Sequence, residues 1–488
     1  MIMTKKINKI ILMLGLGSTL IGSTGCFKQL GDYGKMNSNP NATTSPITSA
    51  LLTNALVSLN GGVWDEGGFR TVNGLYAQYF SETQYTDASR YARPTTNFDG
   101  FYAGPIYDLQ NIINYNSDPA TAAIAAANGS NKNQIAIARI LKAYYFWTIT
   151  DTWGDIPYSK ALKGVGAIPY DGQDAIYKDL LKELKEAVAQ FENSTIPFKG
   201  DILYGGNTAG WKKFANSLRL FIALRMSKAD PTTGKTEFAA ALADPAGVID
   251  AASDNAKLTA PGGTYTNPFY DYYVVVQRKD YAVSKTIMDI LSSNNDERIN
   301  AFASSTVGFP YGLTRADAVT FANANVNYAR ILEPTRRKET TPTVLVASEQ
   351  VKLARAEAAA LGWTVEDMIT LYNGGIQDSW TRWGVYDATK FAAYIAQPNI
   401  LLGVNNIQKI ALQKWLAYYP DGTQGFAEWR RNGVPALVPA PGLTSIPRRT
   451  PYGPNEPQLN PVNYAAAAAK YTDASGPDSQ YGKVWWDK

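Results

Sequence analysis

Apolar residues return every three or four positions along much of this chain, and that period commits it to helices. In 174–191 the stripe is Ile176, Leu180, Leu184, Val188 and Phe191, with Tyr177 and Leu181 beside it. In 134–150 Ala138, Leu141, Tyr145 and Ile149 recur at the same spacing. In 208–226 Trp211, Phe214, Ala215, Leu218, Ile222 and Arg225 share a face, with Thr208 as the expected N-cap. Further helices are expected over 46–59, 281–292, 343–361, 365–383, 406–419 and 423–431, with a capping box at Thr364 and Asp367. Gly362 and Gly433 stand where helix ends belong. Amphipathic helices of this length with short joins predict an all-α body of stacked, TPR-like helical hairpins. Residues 61–116, 229–280, 293–342 and 433–488 read as irregular. The last stretch is Pro-rich but ends in Trp485-Trp486, so it is expected to wrap the body in an ordered way. No linker separates independent domains, and 46–488 is read as one.

Composition narrows the chemistry. The 488 residues include no His and one Cys. That excludes Ser-His-Asp and Cys-His nucleophile systems, His-ligated zinc or haem, an internal disulfide and any multi-Cys metal cluster. No cofactor and no metal site is expected. A net charge of +4 on a chain this long does not suit a nucleic-acid binder. Against this stand 30 Tyr, 17 Phe and 11 Trp. Poor in catalytic nitrogen and rich in aromatic rings, the sequence points to binding rather than to chemistry.

The N-terminus reads as a leader. Lys5, Lys6 and Lys9 precede the apolar run 10–21, which is too short to span a bilayer. Ser23-Thr24-Gly25 then leads into the sole cysteine, Cys26, in the manner of a bacterial lipobox. The expected boundaries are a signal peptide over 1–25, an acylated Cys26 with a polar tether over 26–45, and a body anchored to a membrane by several acyl chains. The leader carries three of the cations and no acid, so most of the excess charge belongs to it.

Aromatic-dense loops supply the binding candidates. A flat ring covers the C–H face of a sugar while Asn, Asp, Gln and Arg take its hydroxyls. The first cluster lies in 64–102, where Trp64, Tyr85, Tyr91, Arg93 and Asn97 are singled out; Tyr76, Tyr79 and Phe80 sit at helical spacing and read as core. The second cluster supplies Tyr265, Tyr270 and Tyr272. Asp151 and Asp155, and likewise Glu428, Arg430 and Arg431, read as buried locks rather than catalytic groups. Glu456 is expected to accept from one of these arginines. The pairs Trp380/Trp383 and Trp485/Trp486 read as packing.

Several strings carry a family resemblance: DTWGDIPY over 151–158, GWKKFANSLRLFIALRMS over 210–227, EWRRNGVP over 428–435, IPRRTPYGPNEPQLNPVNY over 446–464 and the terminal VWWDK. In this order and spacing, with the lipobox, the chain resembles the SusD/RagB nutrient-binding outer-membrane lipoproteins along nearly all of its length. The resemblance implies a TPR-like body with an irregular ligand-binding lobe. It implies that the chain binds oligosaccharides, in preference to peptides, and passes them to a SusC-like TonB-dependent barrel from the cell-exterior face of the outer membrane. The family pattern of acids directly after the cysteine is not followed, since Phe27-Lys28-Gln29 come next and the first acid is Asp32. A helical glycoside hydrolase using an Asp/Glu pair is the alternative, because such a pair needs no histidine.

Overall fold

Successive helices pack against one another in chain order. In the computed structural model, which describes residues 46–488 apart from 63, 64, 66, 67, 165, 261 and 264, Thr48–Ser58 packs on Pro105–Ser117, and that helix packs on Asn131–Trp153. Asn131–Trp153 pairs with Gln173–Gln190, Thr208–Arg225 with Pro231–Leu242, Ser348–Ala360 with Met368–Arg382, and Asn406–Tyr418 with Gly422–Asn432. Gly422–Asn432 packs back on Phe69–Tyr76. The body is all-α and TPR-like, with three two-stranded ribbons among the described residues.

Local chemistry starts these helices where it should. Asn207 Oδ1 accepts from the Ala209 and Gly210 N–H groups, Asp230 caps ahead of Pro231, and Asp421 Oδ1 accepts from Thr423 and Gln424. The cap of Thr208–Arg225 is thus Asn207, one residue ahead of the expected Thr208. Asp367 caps Met368–Arg382 through Thr370 N, so Thr364 lies outside that helix. Gly433, at φ +70°, ends Gly422–Asn432 in the left-handed conformation a side chain disfavours.

Two expected helices begin as strands. Tyr281–Val283 pairs antiparallel with Phe80–Glu82, and Thr343–Val346 with Ala256–Leu258. The helices follow at Lys285–Ser293 and Ser348–Ala360. Thr343, Val344 and Val346 are β-branched and favour a pleated surface over a helical turn. Within 61–116, read as irregular, Phe69–Tyr76 and Pro105–Ser117 are helical. Phe69–Tyr76 has Phe69, Val72, Leu75 and Tyr76 at helical spacing, but it is only eight residues long and every residue of it, polar ones included, is buried.

The larger core lies among the helices between Thr48 and Arg225 and takes in Trp147, Trp153, Trp211 and the terminal Trp486. A second core joins Tyr76, Tyr79 and Phe80 to Phe302, Trp415, Tyr419 and Phe426. The Pro-rich C-terminal segment is bound to the body as expected. Trp486 is fully buried, and Arg449 donates to the Trp153 carbonyl and to the Asp478 carboxylate at 2.7 Å.

Candidate functional site

Five segments far apart in sequence enclose a cavity of about 380 Å³. Asn255 and Lys257 come from the turn and strand around 252–258, and Asn267 and Phe269 from the short turn Pro268–Tyr270. Leu332, Arg336 and Thr341–Val344 form another wall, Thr381, Arg382 and Trp383 a third, and Pro420 closes it.

The walls are tied to one another. Asn267 Oδ1 accepts from Phe269 N at 2.9 Å while its amide donates to the Thr341 carbonyl at 2.9 Å, which fixes the aromatic turn against the 341–344 wall. The ribbon of Ala256–Leu258 with Thr343–Val346 holds Lys257 beside Val344. Trp383 packs edge-on against Phe302 at 4.9 Å, and the Arg382 guanidinium lies 4.6 Å from its ring centre. Arg382 in turn donates to the fully buried Glu349. Nearby, burial pushes the Tyr273 phenol up to about 12 and pulls the Arg337 guanidinium that stacks on it below its ordinary value. The cavity therefore has mainly aliphatic surface on its walls, from Pro342, Val344 and Pro420 with the buried Phe269 and Trp383 rings behind, and amide, hydroxyl and cationic groups around them. That combination suits a ligand with apolar faces and polar edges. No Asp or Glu lines it.

The residues singled out from sequence fall in three groups. Trp64 and Cys26 lie outside the described residues. Tyr85 and Tyr265 are exposed, at 51% and 46%, and Tyr270 is half-buried. The remainder contact other parts of the chain, Arg93 with its side chain still 53% exposed. Tyr91 is a core residue: its ring packs edge-on against Tyr76 at 5.9 Å and its hydroxyl accepts from Ala440 N at 3.1 Å. Tyr272 is likewise core, its hydroxyl accepting from Asp280 N at 2.8 Å and Tyr281 N at 3.2 Å. Burial raises both phenols above their ordinary value. Arg93 binds the C-terminal segment through Asp478 at 2.5 Å, and Asn97 lies against Gly453. Tyr265, Tyr270 and Tyr272 flank the cavity residues Asn267 and Phe269 in sequence, whereas Tyr85, Tyr91, Arg93 and Asn97 take no part in lining it.

Sequence reading missed Lys257, Arg336 and Trp383. Trp383 reads from the sequence as packing, and it does pack, on Phe302. The only local signal for Arg336 is the basic run Arg336-Arg337-Lys338 inside an otherwise polar loop. Among the described residues no group of three or more Asp, Glu, Cys or His is gathered where a metal ion could be held, and no helix is long and apolar enough to cross a membrane.

Known structures share this architecture. A chitin-binding protein is 26% identical, with 90% of this chain covering 100% of that one at a TM-score of 0.76. A chitin-binding SusD homolog from Flavobacterium johnsoniae is 25% identical, covering 90% and 98% at 0.74. A SusD homolog from Bacteroides uniformis, 23% identical with 90% and 98% covered at 0.75, is similar in fold. No curated protein matches the chain. The model of a SusD-like family described as "Starch-binding associating with outer membrane" matches residues 40–453, so this chain belongs to that family.

Proposed function

We infer that this chain is a lipid-anchored outer-membrane protein that binds nutrient oligosaccharides in the Phe269–Trp383 cavity and delivers them to a SusC-like TonB-dependent transporter. The observation that carries the reading is the cavity's make-up: apolar surface bordered by Asn255, Asn267, Thr381 and Arg336, with no carboxylate in its wall. Two similar proteins are themselves described as chitin-binding, which favours a glycan over a peptide. A glycoside hydrolase needs two carboxylates about 5–10 Å apart across the sugar, and this wall supplies none, so binding without turnover is the better account. The membrane anchor rests on Cys26 and its leader, and the barrel partner rests on the family.

The test is titration of the folded protein with a panel of oligosaccharides and peptides. Thr381→Trp, which puts an indole into the cavity from an exposed position, is expected to abolish glycan binding while leaving the melting temperature unchanged. Glycan binding that survives this variant would move the site elsewhere. Detergent extraction from the native membrane is expected to bring down a TonB-dependent barrel, and labelled fatty acid is expected at Cys26 and to be lost in Cys26→Ser.

A further inference from the structure

We propose that the cavity is built for an anionic oligosaccharide, one whose sugar units carry carboxylate or sulfate groups. This rests on the reading that the cavity is the glycan site. The inference comes from charges the walls leave unanswered. Three cations line the cavity, Lys257, Arg336 and Arg382, and no anion does. Arg382 is neutralised from behind by the buried Glu349 carboxylate. Among the described residues, no carboxylate forms an ion pair with Lys257 or Arg336.

Elsewhere in the chain some cations are answered internally, Arg355 by Asp250 and Glu366, Lys352 by Asp378 and Lys213 by Asp254, whereas the cavity offers these two no such partner. The Arg336 guanidinium lies against Gly384, where a Cβ would fall 2.6 Å from its Nη2 atom. A guanidinium offers a planar fork that suits carboxylate and sulfate oxygens, and an ammonium adds a point charge. Beside the apolar surface of Pro342, Val344 and Pro420, the two together match a sugar ring that bears an acidic substituent. A neutral chitin or starch unit would use the apolar surface and amides and leave both cations without a counter-charge.

The experiment titrates the full-length protein, extracted in detergent, with neutral chito- and malto-oligosaccharides, with oligogalacturonate as the carboxylated probe, and with chondroitin sulfate oligosaccharide as the sulfated one. Tighter binding of either acidic probe than of both neutral ones is expected, weakening about tenfold as salt rises from about 0.05 M to about 0.5 M. Arg336→Gln and Lys257→Gln are each expected to weaken the acidic probe about tenfold, equivalent to about 1.4 kcal/mol. The remote surface variant Lys160→Gln is expected to leave it unchanged. The two acidic arms separate carboxylate from sulfate recognition. Neutral oligosaccharide bound as tightly as acidic, or acidic binding insensitive to salt and to Arg336→Gln, overturns the anionic assignment while glycan capture stands. Binding of acidic peptides and of no glycan overturns both.

Discussion

The Asp151 carboxylate meets the Arg225 guanidinium at 2.8 Å with both side chains closed off from solvent. Asp151 lies in the last turn of Asn131–Trp153 and Arg225 is the last residue of Thr208–Arg225. The other carboxylate oxygen accepts from the Trp486 indole at 2.9 Å and from the Tyr177 hydroxyl. Arg225 also donates to Gln424 at 2.9 Å. One carboxylate therefore joins the end of the central helix, two neighbouring helices and the C-terminus. A buried pair is a poor guarantee of net stability, but removing one partner strands the other charge in a dry site.

Asp151→Ala is accordingly expected to cost about 3–5 kcal/mol of unfolding free energy. It should also free the C-terminal segment, because Trp486 loses its acceptor. Urea unfolding and limited proteolysis near residue 480 check this; a loss under about 1 kcal/mol with an intact C-terminus would contradict the network's role.

Gly422 marks the closest approach of two helices. A Cβ there would overlap the backbone N and Cα of Gly74 and come 2.8 Å from the Arg70 carbonyl. Backbone cannot swing aside as a side chain can, so Gly422→Ala is expected to cost about 1–3 kcal/mol or more. Gly166, whose Cβ would meet nothing within 4 Å, is the control, and Gly166→Ala should be near neutral. Paired thermal melts decide it.

Two buried glutamates give opposite pH signatures. Burial pushes the Glu82 carboxyl up to about 7 although it accepts from Ser89 N and Oγ at 2.7 and 2.9 Å. Its folded-state value lies above the ordinary 4.5, so its contribution is whole below pH 4.5 and is lost as pH rises through 7. Burial also pushes Glu357 up, but Arg431 and Lys414 outweigh it and hold the carboxyl down at about 2. Its contribution is present above pH 4.5 and is lost as pH falls towards 2. Melting temperature against pH should therefore show Glu82→Gln gaining on the wild type above pH 7, by up to about 3 kcal/mol. Glu357→Gln should be destabilised at neutral pH and should converge on the wild type in acid.

Much of this was legible where one residue's neighbours lie on its own element. The stripe through Ile176, Leu180, Leu184 and Val188 is buried as its period implies, and Tyr76, Tyr79 and Phe80 are core. Asp151, Asp155 and Arg430 lock buried turns: Asp155 accepts from Gln173 N, and Arg430 donates to the Asp151 carbonyl. Glu456 shows the limit: it accepts from Tyr170 rather than from an arginine, a partner set by tertiary contact alone. The cavity was illegible for the same reason. Lys257, Asn267, Arg336 and Trp383 come from separate segments that no local pattern links, and an aromatic loop looks alike in sequence whether its rings face inward or out.

Tyr91 and Tyr265 put that last point to the test. Both stand in Gly- and Thr-rich loops and both were binding candidates, yet Tyr91 is 4% exposed and Tyr265 46%. Tyr91 packs against Tyr76 and Tyr311, so Tyr91→Ala should open a cavity and cost about 3–5 kcal/mol. Tyr265 sits in the turn closed by Gly262, where Gly263 N donates to Glu339 at 2.8 Å beside the 341–344 wall. Tyr265→Ala removes little packing, and its stability should change by less than about 0.5 kcal/mol. A ring held there can cover the end of a sugar that projects from the cavity, and losing such a stack should weaken glycan binding by about 0.5–1.5 kcal/mol. Melting curves and glycan titrations on the same two variants separate the roles. If Tyr91→Ala melts like the wild type, its ring is no part of the core. If Tyr265→Ala binds as tightly as the wild type, the cavity's ligand ends short of the turn.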